Sequence, residues 1–285
     1  MNINQPPSHW GAGIPVRRGF TLVELLVVIS IIGLLMGMLL PALAAARIAA
    51  KVSIDVSNLR QLGIAMSAYN TEEDGFYPMH SSSKNGPWPG FVNRPRWPDY
   101  IFPHINDTRA FLNPLLTPRE LETNFQKPFA HDPEIGYGGY GYNFQYLGNS
   151  RFDPPFHARV HVDVKAPSQT VVIGDTAGAR GGTADAEPGD GAQAVYVLDP
   201  PLVSERGAHP DGRAYYPTGS VNEPTGTPAT YLWRSFPAAR GDYPPSFSFA
   251  DGHAASVHLD EIDDANGDGI KDNGFWNGSG DAGSY

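Results

Sequence analysis

Between Leu25 and Ala46 the chain carries no charged side chain and no Asn, Gln or His. A bilayer is crossed by a helix of about 20 apolar residues, so this stretch predicts a membrane-spanning helix. Past Pro41 the apolar positions change rhythm but do not stop. Ile48, Val52, Val56, Leu59, Leu62, Met66 and Tyr69 recur at steps of three or four, which predicts an amphipathic continuation with one apolar face. Arg47, Lys51, Asp55, Asn58, Arg60 and Gln61 lie between them and predict the polar side. Asp74-Gly75 and Pro78 set the stop near residues 72–75. A helix from Phe20 to Glu72 is about 80 Å long at 1.5 Å per residue.

Beyond residue 76 the pattern shifts to short alternating runs and turn residues. Residues 78–136 are rich in Pro, Asn and aromatics and read as mostly loop. Tyr137–Leu147 alternates and predicts a strand, as do Gln169–Asp175, Ala194–Leu198 and Thr230–Trp233. Residues 177–192, rich in Gly, Ala and Asp, predict a loop. Two alternating runs from Phe247 to Leu259 flank Asp251-Gly252, the strongest hairpin signal in the chain. The expected fold is α+β: a long N-terminal helix, its second half packed on a C-terminal antiparallel sheet with long loops. The expected divisions are 1–19, 20–46, 47–75 and 76–285.

Composition adjusts this picture in three ways. Gly (32) and Pro (27) are abundant, which predicts modest regular structure in the body. Net charge is −10, and the first nineteen residues contribute Arg17 and Arg18 with no acid. The remainder is more acidic still and lacks the basic footprint that nucleic acid requires. Cysteine is absent, which excludes disulfides, zinc thiolates and cysteine nucleophiles.

The start of the apolar stretch carries chemistry. Arg17 and Arg18 flank it on one side, so the positive-inside bias predicts a cytoplasmic N-terminus and an extracytoplasmic body. Glu24 lies within the apolar run, where a carboxylate costs roughly 2.5–3.5 kcal/mol on insertion scales, so it needs a partner. A signal peptide would have a shorter apolar core and no use for that acid. The run Arg17-Arg18-Gly19-Phe20-Thr21-Leu22-Val23-Glu24 resembles the processing site of type IV prepilins and type II secretion pseudopilins. The resemblance implies a cytoplasmic leader, residues 1–19, cut by prepilin peptidase between Gly19 and Phe20, with methylation of the Phe20 amine. It further implies that Glu24 pairs with the N-terminal amine of a neighbouring pilin-like subunit in a filament. Residues 58–70 with Gly75-Phe76-Tyr77-Pro78 resemble a narrower pseudopilin-like family, DUF1559.

That family ends in a signature of histidine, nine residues, then Asp-Gly. Phe249-Ala250-Asp251-Gly252-His253 matches its end, but Gly241 stands where the histidine falls. The signature is therefore degenerate here, and Asp251-Gly252 is sufficiently explained by turn chemistry.

Near the C-terminus, Asp264-x-Asn266-x-Asp268-Gly269-Ile270-x-Asp272 has the spacing of a calcium loop. Asp264, Asn266, Asp268 and Asp272 offer oxygens, Ile270 offers its carbonyl, and Gly269 permits the sharp turn. Phe275 occupies the position of the bidentate acid, and no flanking helix is evident, so Ca2+ would be held without a full EF-hand. His157, His161 and Asp163 are spaced for a metal on a strand, but nothing further supports one.

No nucleophile elbow, phosphate-binding loop or His-Glu-x-x-His run occurs. The expectation is a non-enzymatic, pilin-like subunit of the bacterial inner membrane that assembles into a type II secretion pseudopilus or related filament. Two alternatives share these features. One is a type IV pilus subunit for adhesion, motility or DNA uptake. The other is a membrane-tethered binding module, for instance for glycans, that never polymerises.

Overall fold

The computed structural model describes residues 20–82, 95–122, 127–150, 156–178, 196–201, 235–240 and 242–282. Residues 1–19, 179–195, 230–233 and Gly241 lie outside these. Expectations for the leader, for most of the 177–192 loop and for the Thr230–Trp233 strand therefore have no structural counterpart here. The chain divides into two units, Met1–Arg47 and Ile48–Tyr285.

Helix α1 runs from Leu22 to Glu72 and continues through Pro41. In the first unit its side chains are exposed throughout, including Leu25, Leu26, Ile29, Leu34 and Leu39. It is long and apolar enough to cross a membrane. A helix satisfies its own backbone polar groups, the condition for entering hydrocarbon. Its C-terminal stop is a Schellman-type turn: Gly75 N donates to Asn70 O (2.7 Å), with Asp74 at φ 53° and Gly75 at φ 85°.

In the second unit, α1 buries Leu59, Leu62, Ala65 and Met66 in the main core with Tyr140, Tyr142 and Ile173. Its polar side differs from the expected one. Asp55 and Asn58 are buried, whereas Ile54 and Ile64 face outward and Ile48 is exposed. The body supplies partners for the two polar side chains, so burial follows the neighbours and not the residue type alone.

Residues 78–136 contain more structure than the expected loop. Helix α2 spans Trp97–Ile105, followed by a 3-10 turn at Thr108–Phe111 and helix α3 at Pro118–Glu122. Pro98 presets the first turn of α2, Asp99 accepts from Arg96 N (2.9 Å), and Asn106 closes it in the left-handed region. Pro98 and Pro103 read as breakers and hid this helix, although Pro98 sits where proline favours a start. Strands β1 (Lys127–Pro128) and β2 (Gly136–Tyr137) form a small antiparallel pair.

The central sheet has five strands. They are β3 (Tyr140–Asn143), β6 (Val171–Asp175), β7 (Val197–Leu198), β8 (Ser246–Phe249) and β9 (Ala254–Ser256). The spatial order is β7-β3-β6-β8-β9. All pairs are antiparallel except β3 with β7, which is parallel, so the sheet is mixed where an antiparallel one was expected. The expected strand over Tyr137–Leu147 breaks in two: β3 ends at Asn143 and helix α4 takes Phe144–Leu147. Strands β4 (Gly148–Asn149) and β5 (Phe156–His157) pair beside it, and helix α5 (Leu259–Ile262) follows the hairpin. The fold is α+β.

Strand β8 shows how the sheet is shared between its faces. Phe247 and Phe249 pack with Val171, Ile262 and Trp276 in a second cluster. Ser248, pointing the other way, lies under Gly63 of α1, where a Cβ would meet its hydroxyl. Glycine there permits close approach of helix to sheet. Leu62→Ala should therefore cost about 2–5 kcal/mol of unfolding free energy, while Ile64→Ala stays within about 0.5 kcal/mol. Denaturant unfolding of the full chain in detergent measures both.

Candidate functional site

The N-terminal end of α1 is built by its own sequence. Thr21 precedes the first helical residue, and Glu24 lies three residues on. Thr21 N and Thr21 Oγ1 both donate to Glu24 Oε2 (2.9 and 2.8 Å), and Glu24 N donates to Thr21 Oγ1 (3.2 Å). This is a reciprocal capping box, which satisfies amides that a helix start otherwise leaves open. Thr21 was not singled out as a site residue, although its Thr-x-x-Glu spacing was legible. Glu24 thus has a partner within its own chain. Phe20 is exposed beside it, and Gly19 lies outside the described residues.

Strands β8 and β9 pair antiparallel around the expected Asp251-Gly252 turn. Gly252 sits at φ 89°, which a side chain disfavours, and its N–H donates to Phe249 O (2.9 Å). His253 stacks on Phe249 with ring centroids 4.2 Å apart. Asp251 Oδ1 lies 2.6 Å from His253 Nδ1 and accepts from His253 N (3.1 Å). Partial burial pushes the Asp251 carboxyl up, but these His253 contacts outweigh it and hold it below the usual range. Arg240 donates to Glu120 and to Thr176 O (3.0 Å). Arg240 and the Asp251–His253 pair thus have structural work in packing and turn formation.

The loop 264–272 places its acids unevenly. Asp264 accepts from Gly267 N and Asp268 N through Oδ1 (2.8 and 3.1 Å) and from Gly269 N through Oδ2 (2.8 Å). Asp268 N also donates to Asn266 Oδ1 (3.0 Å), and Ile270 N to Asp268 Oδ1 (2.8 Å). Gly267 and Gly269 take φ 72° and 82°, so glycine is required at both turns. Asp272 is buried and accepts from Ala265 N (2.9 Å) and Gly274 N (2.6 Å). Asp263 binds Lys271 Nζ (2.9 Å), and Phe275 packs against Phe249. Among the described residues no three His, Asp or Glu side chains converge as a metal site. The spacing therefore assembles Asp264, Asn266 and Asp268 in one turn but directs Asp272 inward to backbone amides. Asp264, Asn266 and Asp268 are the side chains that this turn brings together. His157 lies against Phe76, and Asp163 accepts from Arg159 N (2.8 Å).

Residues 15–40 match the family model of the prokaryotic N-terminal methylation motif. No curated protein and no solved structure gives a match. The match covers the N-terminal end of α1 and the residues before it. It supports a type IV pilin-like precursor of the kind processed by prepilin peptidase, carried on a membrane-anchoring helix.

Asp264→Ala removes the acceptor of three amides. Hydrogen exchange at Gly267, Asp268 and Gly269 should quicken, with local opening easier by about 1 kcal/mol. Asp268→Ala should affect Ile270 instead.

Proposed function

We propose that this chain is a structural, non-catalytic pilin-like subunit of a type II secretion pseudopilus or related filament. Prepilin peptidase cuts after Gly19 and the Phe20 amine is methylated. The N-terminus before cleavage is cytoplasmic and the body extracytoplasmic. The observation that carries this reading is the methylation-motif match over residues 15–40, falling on a helix whose apolar start holds a single acid. The capping box supports it. Thr21 keeps the Glu24 carboxylate hydrogen-bonded in an unassembled subunit, and a neighbouring subunit's amine would supply a cation in its place, which a carboxylate in hydrocarbon favours. The hairpin Phe249–His253 and the 58–78 segment support membership of the DUF1559-type pseudopilins.

Intact mass of the protein from its native membrane tests the processing. The expected wild-type chain lacks residues 1–19 and carries one added methyl group on Phe20, and Gly19→Val abolishes both. An N-terminus further along the chain, near Ala45, sinks the proposal. Cross-linking between α1 helices of processed subunits separates a filament from a tethered binding module, and the filament's location separates a secretion pseudopilus from a type IV pilus.

For the 264–272 loop we propose calcium as the ion its oxygens take. Its two glycine turns and amide-capped Asp264 hold the loop in a fixed shape before any ion arrives. Calcium at about millimolar concentration, the range of extracellular modules, should raise the melting temperature of the wild type and leave Asp268→Ala unmoved. Identical melting with calcium and with chelator assigns the loop a purely structural role.

A further inference from the structure

Tyr140 of β3 stands opposite Asp175 of β6 in the sheet register, and its hydroxyl reaches Asp55 of α1, so two carboxyl groups come together between the helix and the sheet. Asp55, on α1, and Asp175, at the end of β6, are both buried, at 0% and 1% exposure. Asp55 Oδ1 accepts from the Tyr140 hydroxyl (2.7 Å), and Asn58 Nδ2 approaches the same hydroxyl (3.4 Å). Asp175 Oδ1 accepts from Asn113 Nδ2 (2.6 Å), and its Oδ2 from Ser246 N (2.9 Å). Asp55 Oδ2 is the exception, buried with no conventional hydrogen bond. The Asp175 carboxyl and the Ser246 hydroxyl both interact with Asp55, and the Ser246 hydroxyl lies 2.9 Å from Ser256 Oγ.

A buried acceptor without a donor is costly, and two adjacent carboxylates cannot both stay ionised out of water. One proton removes both problems, since a protonated carboxyl becomes a donor. We propose that Asp55 and Asp175 hold a single proton between them and so form a pH-sensitive latch fastening helix α1 to strand β6.

The charged and titratable groups facing the pair come from every side of it. Tyr140 faces it from β3, and Arg240 acts on both carboxyls from the segment before the hairpin, itself bound to Glu120 of α3. Burial raises both carboxyls, and the charge of Asp55 raises Asp175 further. Tyr140, the Ser246 amide and Arg240 pull the other way without reversing the direction. An acid raised in the folded state gives stability that is complete below its unfolded pKa, about 3.9 for Asp. That stability is lost as pH rises through the folded value. The latch is therefore tightest in acid. It concerns the body alone and stands whether or not the chain assembles.

Asp55→Asn is the deciding variant. Its amide oxygen still accepts from Tyr140, and its N–H permanently supplies the donor that the proton provides. Unfolding of the full chain in detergent is compared between wild type and D55N from about pH 4 upward. The expected result is a folded D55N whose folding equilibrium gains on wild type by about tenfold per pH unit, the signature of one linked proton. Parallel profiles, or a D55N that is weaker throughout or fails to fold, overturn the proposal. Infrared spectroscopy of the wild type gives an independent reading. A protonated-carboxyl stretch at neutral pH, absent in D55N, is expected, and its absence from the wild type overturns the latch.

Discussion

The second half of helix α1 is the element on which the body is assembled. It contributes Leu59, Leu62, Ala65 and Met66 to the core that also holds Tyr140, Tyr142 and Ile173. Gly63 brings its backbone close to Ser248 of β8. Apolar burial supplies the driving force but little direction. Direction comes from the polar contacts, above all those of Asp55 and Asn58 with the Tyr140 hydroxyl, which admit one rotation of the helix about its axis. A turn by one residue would put Ile54 or Val56 against the tyrosine hydroxyl and leave it unsatisfied.

The same helix answers two different solvents along its length. Up to Ala46 its exposed surface is apolar and its only acid, Glu24, is held by Thr21. From Ile48 on it is sided, with partners on one face and water on the other. The apolar stretch is long enough to cross a membrane, and the sided stretch packs into the core of the second unit. The methylation-motif match sits where the first environment begins.

The second unit is stabilised without disulfides, and its loops show how. Carboxylates cap backbone amides repeatedly: Asp264 and Asp272 in the C-terminal loop, Asp99 at α2, Asp163 beside Arg159. Each fixes a turn in a chain rich in glycine and proline. The net negative charge is in part the residue of this role, since ionised carboxylates are the strongest local acceptors for such amides.

Much of this was legible in the residues. The apolar run, the placing of Glu24, the stop at Asp74-Gly75 and the hairpin at Asp251-Gly252 are local properties, set by hydrophobicity, period and turn geometry within a few residues. The Thr21–Glu24 box was equally local. Helix α2 was obscured because its prolines read as breakers, though Pro98 sits where proline favours a start. The parallel pairing of β7 with β3, the breaking of the Tyr137–Leu147 run into strand and helix, and the burial of Asp55 and Asn58 were not legible. Each depends on a partner distant in sequence: Tyr140 lies 85 residues from Asp55. The sequence by itself determined where helix, membrane span and turns fall. Only the tertiary structure decided which polar side chains go inside, because a buried carboxyl is stable or ruinous according to the donors that surround it.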